Sequence, residues 1–282
     1  MRQTPIGCRD NDKPAPPSLP AEARLPINRC NLPAVILGGL TFQHFPAPLH
    51  LDGVREVHGR LFALLDGIDD RHARATLFTE AMAAHFLLDA PAEAGWEGEL
   101  KARGKMDYRR LLRGWSFDPD GREAAIIKGW VESRFGLIPR HHGTPITAPG
   151  DEAYLRYLAA RTAGLYNTNA LEAQLDLLFT YGQYELVRCH SDSTHLTLYR
   201  GVNRLADHEV LEQTERDRFI LLLNNINSFT RSRERAEEFG DHVLEARIPL
   251  SKIAFYADLL PQLLRGEDEY MVLGGVYEMR RV

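Results

Sequence analysis

Three short polar segments in the last third of this 282-residue chain combine residue types that could bind a phosphate group and stabilise a positive charge. The first is Arg200-Gly201, where an arginine ends an apolar, alternating segment and is followed by glycine. A guanidinium can donate two parallel hydrogen bonds to phosphate or carboxylate oxygens, and a glycine lets a ligand approach the backbone closely. A surface arginine before a turn has the same pattern, so this segment alone does not establish a binding site.

The second segment contains two hydroxyl side chains, Ser228 and Thr230, that share one face if the backbone is extended. Farther along, Ser232 is a typical helix N-cap and Gly240 a typical helix stop. A capped helix after a strand explains those two residues. It gives no role to Ser228, which is therefore the candidate for a functional hydroxyl.

The third segment is the acidic run Glu267-Asp268-Glu269. If it enters a strand, alternation places Glu267 and Glu269 on one side and Asp268 on the other. Two carboxylates this close repel each other unless a cation lies between them or they share a proton. The pair could stabilise a cation, although an exposed acidic turn before a strand would also explain it.

Apolar periodicity predicts the elements that must position these segments. Helical spacing occurs within residues 51–88, 108–113, 124–135 and 151–188. Alternation or short apolar runs predict strands at 196–199, 219–223, 243–248, 271–273 and 276–279. The sequence therefore predicts an α+β fold, with a helical first half followed by a strand-rich last third.

Composition suggests three regions. Nine of the sixteen prolines lie within residues 1–48, and residues 1–25 are predicted to be a flexible, Pro-rich tail. A segment rich in Pro, Gly and Thr then separates a mainly helical region, residues 26–150, from residues 151–282, which carry all three polar segments. The tryptophans Trp96, Trp115 and Trp130 adjoin helical segments and are expected to be packing residues.

Charge and cysteine content argue against several classes of protein. The net charge of −5 and the absence of a long basic run disfavour a nucleic-acid or membrane-surface protein. Three cysteines without a CxxC pair predict neither a disulfide framework nor a cysteine zinc site. The longest apolar run, Leu32 to Leu40, is about half of a membrane span. We therefore expect a protein that stays in the reducing cytoplasm.

Together, the three segments resemble the Arg–Ser–Glu signature of the mono-ADP-ribosyltransferases. Arg200-Gly201 is similar to the first-strand arginine of that family, and Glu267-Asp268-Glu269 to the Glu-x-Glu of its arginine-directed branch. Ser228-Phe229-Thr230 occupies the place of the Ser-Thr-Ser motif and keeps a hydroxyl at the third position. This resemblance covers about residues 151–282. The segment Leu25 to Pro33, the helical first half and the length resemble the dinitrogenase reductase ADP-ribosyltransferases of nitrogen-fixing bacteria.

The resemblance implies a helical half followed by a mono-ADP-ribosyltransferase fold of two packed, mostly antiparallel sheets with helices. It also implies NAD as the substrate and a role for each matched residue. Glu269 would stabilise the oxocarbenium-like transition state, Ser228 would position Glu269, and Arg200 would bind the dinucleotide phosphates. Gly201 would offer its backbone to the carboxamide, and Phe239 would stack near the nicotinamide unless it is a core residue.

The same resemblance implies that Thr230 belongs to the NAD site and that Glu267 orients the acceptor guanidinium and takes its proton. The implied acceptor is the nitrogenase iron protein, and a PII-type nitrogen-status protein is a further implied partner. Because every exposed arginine offers the same guanidinium, selection of one protein needs surface outside the site, and we expect the helical region to provide it. Two alternatives remain open at this point. One is a secreted toxin of the same chemistry, and the other is a non-enzymatic interaction module with a vestigial site.

Overall fold

A computed structural model describes residues 16–89, 107–164, 168–205, 208–260 and 268–282 of the chain. Its α-helices are α1 (Ala34–Leu37), α2 (Leu40–His44), α3 (Val54–Val57), α4 (Gly59–Asp66), α5 (Arg71–His85), α6 (Tyr108–Phe117), α7 (Arg122–Phe135), α8 (Glu152–Gly164), α9 (Thr168–Cys189) and α10 (Arg233–Glu237). Its strands are β1 (His141–His142), β2 (Thr144–Pro145), β3 (His195–Val202), β4 (Glu209–Glu215), β5 (Arg218–Thr230), β6 (His242–Pro249), β7 (Ile253–Tyr256) and β8 (Glu269–Arg281). The predicted α+β class is confirmed.

Local side chains define several helix ends. The Asp107 carboxylate caps α6 by accepting a 2.8 Å hydrogen bond from the Arg109 amide. The Ser232 hydroxyl caps α10 by accepting from the Arg235 amide at 3.0 Å. Both contacts satisfy amides that the first turn of a helix leaves without a backbone partner. Helix α7 ends at Gly136, whose φ of 69° lies in the left-handed region that favours glycine.

The strands β3 to β8 form one antiparallel sheet in the order β4-β5-β3-β6-β8-β7, with an additional β5–β8 pairing. Strands β3 and β6 pair along their whole length, whereas β3 and β5 meet only where Tyr199 lies opposite Thr230. Thr230 is also opposite Glu269 at the start of β8. The starting point of β8 and the middle of β3 are thereby brought to the end of β5.

The two strands predicted at 271–273 and 276–279 are one continuous strand, β8. Glycines at its middle explain the apparent interruption in the sequence. A side chain at Gly274 would collide with the Asn224 carbonyl of β5, and Gly275 has a φ of 122°. The glycines therefore admit a neighbouring backbone and do not end the strand.

The largest apolar core includes residues on both sides of position 150, among them Leu19, Trp115, Leu175 and Met271. Polar contacts also join the first helices to the sheet. The buried Lys252 ammonium donates to the Leu37 carbonyl at 2.8 Å and to the Gly274 carbonyl, and burial lowers the pKa of Lys252 to about 7. The helical region and the strands therefore share a core.

Part of the predicted tail is packed. Leu19 and Ala23 are buried, and the Leu25 amide donates to the Gly136 carbonyl at 2.8 Å. Prolines disfavour regular secondary structure, but they do not prevent apolar neighbours from burying their side chains. Residues 19–25 are therefore packed against the rest of the chain, while residues 1–15 lie outside the described part of the chain.

Candidate active site

A cavity of about 990 Å³ lies against β3 and β5, at the place where these strands separate. The residues predicted for the NAD site that fall within the described ranges all line it: Arg200, Gly201, Ser228, Thr230, Phe239 and Glu269. The sheet register explains this convergence, because Thr230 is paired with both Tyr199 and Glu269. Glu267 lies outside the described residues.

The carboxylate of Glu269 accepts hydrogen bonds from three side chains. Ser228 Oγ donates to Oε1 at 2.5 Å and Trp115 Nε1 donates to the same oxygen at 2.8 Å. Ser116 Oγ donates to Oε2 at 3.1 Å. Glu269 is only 6% exposed. A carboxylate held through both oxygens has a defined orientation, which is what electrostatic stabilisation of a nearby cation requires.

The Arg200 guanidinium lies on β3, in the wall of the same cavity. Its Nη1 donates to the Ser228 carbonyl at 2.8 Å, while its buried Nε has no hydrogen-bond partner among the described residues. Burial lowers the pKa of Arg200 below its usual value, and the negative charge of Glu269 offsets only part of this shift. A guanidinium starts from so high a pKa that it remains charged, so Arg200 can still bind an anion.

Gly201 has a packing role in addition to lining the cavity. A side chain at this position would lie 2.0 Å from the Ala236 carbonyl oxygen of α10, and one at Gly240 would collide with Val202. The absence of side chains therefore lets α10 pack against β3. On the side where Cβ would project, the space at Gly201 is filled by this chain, so a ligand can meet Gly201 only through its backbone groups.

The Thr230 hydroxyl is engaged in the turn that leads into α10. It accepts from the Ser232 amide at 3.2 Å and lies 3.4 Å from the Asp268 carboxylate, which also accepts from the Arg231 amide at 3.3 Å. Asp268 has a φ of 45°, a conformation that aspartate tolerates better than most residues. These contacts fasten the start of β8, and thus Glu269, to the end of β5.

Phe239 follows α10 and is 56% exposed, which excludes the alternative that it is a core residue. Its ring lines the cavity together with Ala236. An exposed aromatic ring at a cavity wall can stack on a flat ligand ring. Phe239 lies two residues beyond the end of α10 at Glu237.

The sequence did not identify the contributions of Trp115 and Ser116, which lie in the last turn of α6. Trp115 is buried in the core, as predicted, but its indole N–H also contacts Ser228 Oγ at 3.1 Å. The sequence offered only a general indication of this role, because a buried indole N–H needs a hydrogen-bond acceptor. Nothing in the sequence indicated that the acceptor lies 154 positions away. Trp96 is outside the described residues.

A charged cluster forms another part of the cavity wall. The buried Lys128 ammonium donates to Asp120 at 3.0 Å and to the His141 carbonyl at 2.9 Å. A hydrogen bond from His141 and the charge of Lys128 hold the pKa of Asp120 well below its usual range. Burial and Lys128 lower the pKa of His142 to about 4. These groups satisfy one another, and no cluster of three or more His, Cys, Asp or Glu suited to a metal occurs within the described ranges.

Comparison with known proteins identifies the family of the chain. The chain matches the family described as Dinitrogenase reductase ADP-ribosyltransferase (DRAT) over residues 27–281. It is 37% identical over 254 residues to the NAD(+)--dinitrogen-reductase ADP-D-ribosyltransferase of Rhodospirillum rubrum. The matched region covers 89% of this chain and 92% of that relative. No solved structure matches the chain significantly. Across the ranges that the structure describes, no helix is long and apolar enough to cross a membrane. The chain belongs to the dinitrogenase reductase ADP-ribosyltransferase family.

Proposed function

We propose that this protein transfers ADP-ribose from NAD to an arginine of the nitrogenase iron protein, dinitrogenase reductase, and thereby inactivates it and regulates nitrogen fixation. The observation that carries the proposal is the convergence of Ser228 on Glu269 in a cavity that also contains Arg200. Family membership and the name of the Rhodospirillum rubrum relative support the same reaction. The reaction is that of an NAD-dependent protein-arginine mono-ADP-ribosyltransferase.

In the first half of the reaction, the bond between the ribose C1′ and nicotinamide breaks, and its electron pair leaves with nicotinamide. Positive charge then develops on the ribose, and the oriented Glu269 carboxylate stabilises that charge while binding a ribose hydroxyl. Arg200 binds the dinucleotide phosphates through donors that include its Nε, which has no partner within the part of the chain that the structure describes. Gly201 offers backbone groups to the carboxamide, and Phe239 stacks on the nicotinamide.

In the second half, a nitrogen of the acceptor guanidinium bonds to C1′ and loses a proton. A free guanidinium is protonated at physiological pH and is therefore a poor nucleophile. We assign to Glu267 the tasks of orienting this group and accepting the proton. Thr230 contributes by fastening the turn that precedes Glu269. NAD is a substrate in this scheme, and no step requires a metal.

The proposal extends to the fold and to the regions of the chain. The longest strand pairings fall within two groups, β3–β6 and β4–β5–β8–β7, joined by the short β3–β5 and β6–β8 pairings. We assign these groups to the two packed, mostly antiparallel sheets of a mono-ADP-ribosyltransferase fold. We assign catalysis to residues 151–282 and acceptor docking to residues 26–150, with the amendment that α6 also supports the site. A cytoplasmic location and a PII-type regulatory partner follow from the proposed role in nitrogen fixation.

The direct test is to incubate the purified protein with labelled NAD and either the nitrogenase iron protein or unrelated proteins that expose arginines. We expect label on an arginine of the iron protein and little label on the others. Labelling of every protein alike would leave a general arginine transferase and remove the proposed acceptor. Failure to cleave NAD under any of these conditions would instead favour a non-enzymatic module.

Acceptor docking should depend on Phe117, the residue that follows Ser116. Phe117 is 90% exposed and stands in the chain between Ser116 and Pro119, which both line the cavity, so it is a candidate contact for a protein whose arginine enters the site. Exposed aromatic residues often dominate the binding energy of an interface. We expect Phe117→Ser to lower kcat/KM for the iron protein about tenfold, equivalent to about 1.4 kcal/mol, while NAD hydrolysis without acceptor is unchanged.

Phe45 provides a matched control, because it is also in the first half and is 80% exposed, but none of its neighbours in the chain lines the cavity. Phe45→Ser should leave transfer within twofold of the original chain. If Phe45→Ser weakens transfer and Phe117→Ser does not, docking uses another face of the helical region. If neither substitution weakens transfer to the iron protein, these two phenylalanines do not belong to the docking surface.

A further inference from the structure

We propose that Trp115 and Ser116 are positioning residues for the reaction, which hold Glu269 in the orientation that the transition state requires. The inference rests on the proposed function, since it takes Glu269 as the group that stabilises the ribose cation. It departs from the residue pattern of the sequence, in which Ser228 alone positions the glutamate. Helix α6 thereby contributes to catalysis through Glu269.

The contacts of Trp115 form a triangle with Ser228 and Glu269. The indole N–H lies 2.8 Å from Glu269 Oε1 and 3.1 Å from Ser228 Oγ, and the Ser228 hydroxyl donates to the same Oε1 at 2.5 Å. An indole nitrogen is a donor only, so it cannot accept a hydrogen bond from either of these side chains. The buried ring also restricts movement of the N–H, because Trp115 is 3% exposed. Trp115 therefore fixes both partners.

The Ser116 hydroxyl donates a hydrogen bond to the other carboxylate oxygen, Glu269 Oε2, at 3.1 Å. A single donor to Oε1 would leave the carboxylate free to rotate about its last side-chain bond. A donor on each oxygen defines the plane of the group as well as its position. Preorganisation of this kind is what lets a charged group stabilise a transition state without rearranging during the reaction.

The position of α6 is set by contacts that do not involve Glu269. Its first amide groups are capped by Asp107, and the Tyr108 amide donates to the Gln174 side chain at 2.9 Å. Leu111 and Leu112 are buried in the core. The helix is thus anchored at its beginning, and its last turn presents Trp115 and Ser116 to the carboxylate.

The test compares Trp115→Phe with Trp130→Phe. Trp130 is a matched control, because it is also buried, also donates its N–H to a carboxylate (Asp176, 2.7 Å), and does not line the cavity. We expect Trp115→Phe to lower kcat for NAD hydrolysis about tenfold, with KM for NAD within twofold, because a hydrogen bond to a charged group is lost. Trp130→Phe should leave kcat within twofold, even if it lowers the midpoint of thermal unfolding as much as Trp115→Phe does.

Ser116 gives a second variant that removes no buried ring. Ser116→Ala should lower kcat about threefold, and Ser116→Thr, which keeps the hydroxyl, should restore it. Unchanged kcat in both Trp115→Phe and Ser116→Ala would overturn the inference, as would equal losses in Trp115→Phe and Trp130→Phe. A change in Trp115→Phe alone would overturn the role of Ser116. Absence of NAD cleavage by the original chain would refute the proposed function, a result distinct from all of these.

Discussion

Glu269→Gln should lower both ADP-ribose transfer and NAD hydrolysis by about 10²–10³, while NAD binding is largely retained. The substitution keeps the shape of the side chain and removes the negative charge that opposes the ribose cation. It also replaces an acceptor oxygen with an amide group, so one of the donors Ser228, Trp115 and Ser116 would face another donor. Nicotinamide release measures turnover, and calorimetric titration measures NAD affinity.

Glu278→Gln is the matched control for that experiment. Glu278 lies on the same strand, β8, and its side chain is 32% exposed beside Arg218, away from the cavity that contains Glu269. Its substitution should leave turnover close to that of the original chain. Near-normal turnover of Glu269→Gln, with NAD bound normally, would refute the role assigned to Glu269.

Glu267→Gln should separate the two halves of the reaction. Transfer to the iron protein should be abolished, because the acceptor guanidinium must be oriented and must lose a proton. Slow NAD hydrolysis should persist, because water needs no such orientation and the Glu269 carboxylate is still present. The two activities can be followed in one reaction with labelled NAD, as protein-bound label and as free ADP-ribose.

A small guanidine acceptor provides the control for this second experiment. If Glu267 acts on the guanidinium itself, Glu267→Gln should lose transfer to the small acceptor as well as to the iron protein. Loss with the iron protein alone would indicate a docking role. Equal loss of transfer and hydrolysis would show that Glu267 serves the NAD half of the reaction, and the division of labour between the two glutamates would be wrong.

The sequence predicted those parts of the site that depend on local patterns. Ser228 and Glu269 were identified by residue type and by the strands around them, and both occur at strand ends in the structure. Helical periodicity correctly indicated α6, but the same pattern made Trp115 look like a packing residue only. The direction of its N–H depends on how α6 lies against β5 and β8, a tertiary property that spacing does not encode.

Burial of the early segment was missed for a related reason. Prolines around Leu19 lowered the expectation of order, although Leu19 packs against Gly38 and belongs to a core that also contains Leu137. For Phe239, the sequence predicted a longer helix than the structure contains. Phe239 was assigned to a helix because Gly240 was the nearest stop signal, yet α10 ends at Glu237. Helix ends are decided by a few residues, so one misplaced stop changes the surroundings of a side chain.

The hydrogen bonds from Trp115 to Ser228 and Glu269 span 113 and 154 positions of the chain. Closing loops of such length costs conformational entropy, and folds that depend on distant contacts form slowly. These contacts exist only when α6, β5 and β8 are all in place, so the aligned carboxylate is a property of the complete fold. A partly folded chain carries the reactive groups without the alignment needed to consume NAD.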